Sequence, residues 1–174
     1  MSYAYPWVEG PPWPEQELPR DELQDRIENL MARTNICVLA TINKAGMPIA
    51  SPIEYYAQGM DIYCLPDPGT PKLAAMQRDS NISLAITREY HGWHSGHGMQ
   101  LFGQVEILDQ HTEAWDEAMK VFRWHGWADD IGLDTSKPFD THKVAKISPD
   151  RIIYIETWLW KQGYSAKQVW HKDA

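Results

Sequence analysis

Apolar and polar positions alternate with two periods along this chain. Residues 21–32 (DELQDRIENLMA) carry Leu23, Ile27, Leu30 and Met31 at helical spacing behind leading acids, which predicts an amphipathic helix. A strand–turn–strand follows: residues 35–42 (NICVLATI), a turn at 43–46 (NKAG), then residues 48–57 (PIASPIEYYA). Residues 60–65 (MDIYCL) predict a third strand, 66–71 (PDPGTP) a tight loop and 72–78 (KLAAMQR) a short helix. Two further strands are expected at 82–87 and 99–108, separated by a Gly- and His-rich connection. A second amphipathic helix is expected from Thr112 to about Trp124, and residues 142–155 supply one or two closing strands. Short strands around one interior, with helices confined to the ends and one crossover, predict an α+β, mainly β fold: an antiparallel barrel whose first helix caps one end.

Composition narrows the picture. A chain of 174 residues suits a single domain. Residues 1–19 hold five prolines with Trp7 and Trp13, so residues 1–20 are expected to be an extended arm and 21–174 the domain. The excess of 24 Asp+Glu over 16 Lys+Arg gives a net charge of -8 and argues against nucleic acid. No apolar run approaches a membrane span, and MSYAYPWVEGPP lacks a secretory pattern, so a cytoplasmic protein without membrane contact is expected. Cys37 and Cys64 lie in apolar, strand-like runs, where a free thiol acts as a small hydrophobe. The nine tryptophans suit an interface or a planar ligand.

Chemistry concentrates at residues 66–72. The chain leaves a strand, turns through prolines and a glycine, and enters a helix whose first turn carries Thr70 and Lys72. A lysine there opposes the helix dipole unless an anion sits in front of it. The other reading is a solvated surface lysine.

The stretches ICVLATINKAGMPIASPIEYY, IYCLPDPGTPKLAAMQRDSNISLAI and GHGMQLFGQVEIL, in that order, resemble the flavin-mononucleotide (FMN) split-barrel family that includes pyridoxamine-phosphate oxidase. Gly96, Gly98 and Gly103 also match the spacing in its small FMN-binding members. The resemblance implies a homodimeric antiparallel split β-barrel with flanking helices. It also places Lys72 on the flavin phosphate with Thr70 beside it, backbone groups of Ser51, Pro52 and Ile53 at the isoalloxazine ring, and Leu65 and Pro66 along the ribityl chain. Family members bind two flavins at the dimer interface. Gly98, Met99 and Gln100 would then approach from the partner chain, with Trp158 or Trp160 stacking near the ring or closing the interface.

Two positions that are basic in pyridoxamine-phosphate oxidases fall near Ala50 and at Pro71, so phosphate binding would lean on backbone donors or on the other subunit. The carboxy-terminal GYSAKQVWHKDA lacks those enzymes' Arg/His motif, which argues against vitamin-B6 activity. His91, His94 and His97 recur every third residue in EYHGWHSGHG; the glycine-rich segment does not fix a metal site, so no metal is expected. Haem is the alternative cofactor, since some split-barrel relatives bind it and one axial histidine suffices. The flavin itself would move the hydride, and no catalytic side chain is assigned. Two functions stand: a flavin-dependent oxidoreductase acting on a small molecule, or a non-catalytic flavin or haem carrier. An enzyme should leave an open, partly polar cavity, whereas a carrier covers the reactive face with Trp or the arm.

Overall fold

A computed structural model of the chain describes residues 13–122, 128–130, 132, 134 and 141–173. Within these, helix α1 (Arg20–Ala32) is followed by strands β1 (Ile36–Ile42), β2 (Pro48–Glu54), β3 (Tyr56–Gln58) and β4 (Asp61–Cys64). Helix α2 (Pro71–Arg78), strands β5 (Asn81–Thr87) and β6 (His97–Leu108) and helix α3 (Glu113–Met119) come next, before β7 (Val144–Glu156) and β8 (Lys167–His171). All strands join one antiparallel sheet in the order β2-β1-β5-β6-β7-β4-β3, with β8 also paired to β7. The result is a mainly-β, curled half-barrel with flanking helices.

β7 organises this sheet. One of its edges pairs with β6 along its whole length, while the other is shared, β4 taking residues 145–147 and β8 taking residues 151–155. Pro149 and a bulge opposite Phe102/Gly103 sit where the shared edge changes hands. Proline, lacking an N–H, is tolerated at such a break. Helix α1 packs against both β3 and β8 and buries Leu23, Ile27, Leu30 and Met31 in the core. The capping helix anticipated from periodicity thus spans the split between β4 and β8.

Several expected boundaries shift. The anticipated single strand at 48–57 is two, because the chain changes partner from β1 to β4 at the buried Tyr55. Tyr55 donates its hydroxyl to Met31 O at 3.1 Å and lies 2.6 Å from Thr34 Oγ1, joining the corner to the end of α1. The closing strands expected at 142–155 are one strand, β7, which starts at Val144 and extends to Glu156, and β8 was not anticipated. Helix α3 stops at Met119; the expected end at Trp124 lies outside the described residues, as do residues 1–12 of the arm. Residues 13–19 carry no regular structure but are pinned: Leu18 N donates to Gln168 Oε1 at 2.9 Å and Ser165 N to Gln16 O at 2.8 Å.

The outward face of the sheet is unusually apolar. Register aligns Pro52, Val38, Ala85, Gln100, Ile153 and Val169 in one row across six strands. Val38 and Val169 are each 43% exposed, and Ile36, Ile42 and Ile155 stand exposed around the row. A contiguous patch of this kind marks an interaction surface.

Two outcomes test the frame. A Cβ on Gly103 would meet the Ser148 carbonyl oxygen and lie 2.9 Å from Pro149 Cα, both backbone atoms that have no room to yield. Gly103→Ala should therefore lose about 3 kcal/mol in urea unfolding, whereas Gly46→Ala, whose Cβ meets nothing within 4 Å, tests the separate cost of positive φ. Burial pushes the Tyr55 phenol up to about 12 despite its hydrogen bond to Thr34. The unfolded chain releases that proton near pH ~10, so between the two values the unfolded state is favoured as pH rises. Stability should fall over that window, and the fall should be shallower by about 2 kcal/mol in Tyr55→Phe.

Candidate functional site

The local chemistry of residues 65–72 builds a cleft. Gly69 adopts φ +76, a left-handed turn that suits glycine. Thr70 Oγ1 donates to Asp67 O at 2.8 Å, and Pro71 opens α2 with a preset φ. Lys72 follows at the second helical position, half-buried. Among the described residues no ion pair or hydrogen bond is found for its ammonium. The first-turn N–H groups of Lys72 and Leu73 lack partners within the helix, and the dipole adds positive potential there. This end of α2 opens onto a cleft of about 360 Å³ lined by Pro52 and Ile53 of β2, by Leu65 and Pro66, and by Lys72. The cleft thus collects five of the residues expected at the flavin.

Its remaining wall was not legible in the sequence. Tyr56, Phe122 and His142 complete the lining, with the Tyr56 and Phe122 rings edge to face at 5.3 Å. His142 Nε2 stands 3.4 Å from Asp67 Oδ1, and its carbonyl accepts from Trp115 Nε1 at 2.9 Å. Glu54 and Asp67 also face the cleft, and Glu54 accepts from Tyr56 Oη at 3.1 Å. The site is therefore polarised: a cation and backbone donors at the α2 end, carboxylates on the rim. Beneath it Cys37 and Cys64 are buried free thiols. A hydrogen bond from Cys64 lowers Cys37 and, with burial, raises Cys64.

The other expected contacts are not among the residues lining this cleft within the chain. Ser51 is half-buried opposite Leu39, on the inward face of β2, so its main chain is the part available to the cleft side. Thr70 is half-buried and spends its hydroxyl on the turn. Met99 points into the core at 3% exposure, leaving only its backbone for a ligand, while Gln100 stands exposed in the outward apolar row. At Gly98 a Cβ would sit 2.8 Å from Ile86 O, so glycine there is dictated by close strand approach. Trp158, 48% exposed, lines a different cleft.

That second cleft, about 470 Å³, lies where β6 begins and β7 ends, and is bounded by Arg88, His94, His97, Glu156 and Trp158. His97 Nε2 is 2.8 Å from Tyr154 Oη, which donates to Glu156 Oε2 at 2.7 Å. The same carboxylate oxygen accepts from Arg26 Nη1 at 2.9 Å. Burial holds the His97 imidazole below its ordinary value; Glu156 opposes this, and Arg88, Arg33 and Arg26 add to it. Burial and the Glu156 carboxylate both raise the Tyr154 phenol, which stays protonated. The adjoining histidine loop is clamped by an aromatic cluster, Trp13 of the arm packing 5.0 Å from Trp93 and 5.6 Å from Trp160. His91 pairs with Glu89 at 3.2 Å, and among the described residues no group of three metal-ligating side chains converges.

Comparison with known proteins places this geometry in a family. The family model described as pyridoxamine 5'-phosphate oxidase matches residues 23–156, well over half of the chain. A Clostridium acetobutylicum protein related to general stress protein 26, of the pyridoxinephosphate oxidase family, superposes with a TM-score of 0.63 at 15% identity, covering 88% of this chain and 96% of that one. A haem binding protein from Mycobacterium smegmatis gives 0.63 at 17% identity over 85% of this chain and 58% of that one. A FAD-binding protein from Mesorhizobium loti gives 0.58 at 14% identity, covering 79% and 92%. No curated protein matches the chain. At these identities the structures speak for the fold, and the family match carries the assignment: the chain belongs to the pyridoxamine 5'-phosphate oxidase-like split-barrel family.

Proposed function

We propose that this protein is a homodimeric FMN-dependent oxidoreductase acting on a small molecule, and not a pyridoxamine-phosphate oxidase. The observation that carries the reading is the half-buried Lys72 at the start of α2, facing a cleft that also holds Pro52, Ile53, Leu65 and Pro66. A flavin phosphate suits the Lys72 ammonium and the first-turn N–H groups, with the ring along the β2 backbone. The bound flavin supplies hydride transfer. The chain's own residues position it: Lys72 balances the phosphate charge, and Tyr56 and Phe122 offer apolar walls. Glu54 and Asp67 repel a phosphate from the rim, which favours the Lys72 end as its seat.

The apolar outward row supports self-association, because it runs from Pro52 at the cleft to Gln100, so a second copy on this face brings the expected partner contacts toward the flavin. The Lys72 cleft is lined by both polar and apolar side chains, which supports the enzyme reading.

FMN titration of the purified chain, followed by flavin fluorescence and visible absorption, tests the reading. One flavin per chain is expected, and Lys72→Ala should weaken FMN by roughly 10- to 100-fold while leaving riboflavin, which lacks the phosphate, unchanged. Sedimentation should show a dimer that Val38→Asp dissociates with loss of flavin. Equal FMN affinity in the Lys72 variant, or haem uptake in place of flavin, would overturn it.

A further inference from the structure

The chain of hydrogen bonds behind the second cleft fixes the proton positions of His97. Tyr154 has one hydroxyl proton, and Glu156, held by Arg26 at 2.9 Å, receives it at 2.7 Å. The Tyr154 oxygen, 2.8 Å from His97 Nε2, is thereby left as an acceptor. His97 Nε2 must donate, so in the neutral ring Nδ1 carries the lone pair. Among the described residues no hydrogen bond engages Nδ1. The charged groups that act most on the ring are Glu156 on β7, Arg26 on α1, Arg33 just after it and Arg88 just after β5, and Glu89, His91 and His94 share the cleft. Burial, with the three arginines, outweighs Glu156, which disfavours the protonated ring.

The cleft that His97 lines has the parts of a small-molecule site. Trp158 presents a half-exposed indole, Arg88 an exposed guanidinium and His94 a second imidazole. A flat ring suits the indole, a carboxylate suits the guanidinium, and a hydroxyl suits the bare imidazole nitrogen. We propose that His97 is the hydrogen-bond-accepting residue of a second ligand site, which takes a planar aromatic carboxylate bearing a hydroxyl group. His97 Nδ1 accepts the hydrogen bond of the ligand's hydroxyl, which keeps its proton, so no covalent bond is made or broken. Tyr154 and Glu156 are positioning residues, acting through the tautomer they impose. The site stands whether or not the Lys72 cleft holds a flavin.

The experiment uses the full chain, labelled with nitrogen-15 in histidine, with 4-hydroxybenzoate and 4-methoxybenzoate as probes. Near pH 7 the His97 signals should report the Nε2–H tautomer, with a protonation midpoint below the ordinary ~6.5. 4-Hydroxybenzoate should shift the Nδ1 resonance and bind about fivefold more tightly than its methyl ether, the worth of one hydrogen bond. Tyr154→Phe should mix the tautomers, and His97→Gln should abolish the discrimination; if the Tyr154 variant does not fold, the His97 variant carries the test. An Nδ1–H tautomer, equal binding of the two benzoates or binding of neither overturns the proposal.

Discussion

Gly103 passes so close to the Ser148 carbonyl that no side chain fits between them, and this contact bends the longest strand pair of the sheet. The bend lets β7 offer one edge first to β4 and then to β8. The first half of β7 holds β4, whose end leads through Leu65 and Pro66 to Lys72. The second half carries Tyr154 and Glu156, which orient His97 across the ladder from β6. Two clefts of different chemistry thus hang on opposite halves of the same strand.

The electrostatics of the clefts follow from their supports. At the first, a helix start and a lysine present positive potential within a chain of net charge -8. The field at long range repels anions, so binding there depends on short-range donors, and the carboxylates of Glu54 and Asp67 sharpen where a phosphate can sit. At the second, Glu156 is committed to Arg26 and Tyr154 and acts on the cleft mainly by ordering His97. The arm contributes to that order, since Trp13 packs on Trp93 beside the histidine loop and Leu18 is tied to Gln168.

Much of this was legible in the sequence where one face of an element is apolar. Helix α1 and strand β5 follow their periodicity because Leu23, Ile27, Leu30, Ile82, Leu84 and Ile86 all face the core. β1 was legible as a strand, but Ile36, Val38 and Ile42 make its outer face apolar too, so which side is core required the register. β8 escaped notice because one of its two inward positions, beside Trp170, is Gln168, 1% exposed, whose burial makes sense only once it is seen to hold the arm. The loop ending at Lys72 could be read locally because turn, proline and helix start are contiguous. Tyr56, Phe122 and His142 could not, being brought to the cleft from three separate segments. The same holds for His97 and Tyr154, 57 residues apart. Trp158, expected by resemblance to stack near the ring or close the interface between two chains, borders the His97 cleft within its own chain.

In the proposed function the start of α2 and the edge of β2 together form a flavin-phosphate site. A crystal structure of the chain grown with FMN tests it most directly. The account predicts the phosphate against Lys72 and the backbone N–H groups of the first turn of α2, with the ring beside Ser51, Pro52 and Ile53. Flavin bound elsewhere, or a phosphate that leaves Lys72 untouched, would contradict it.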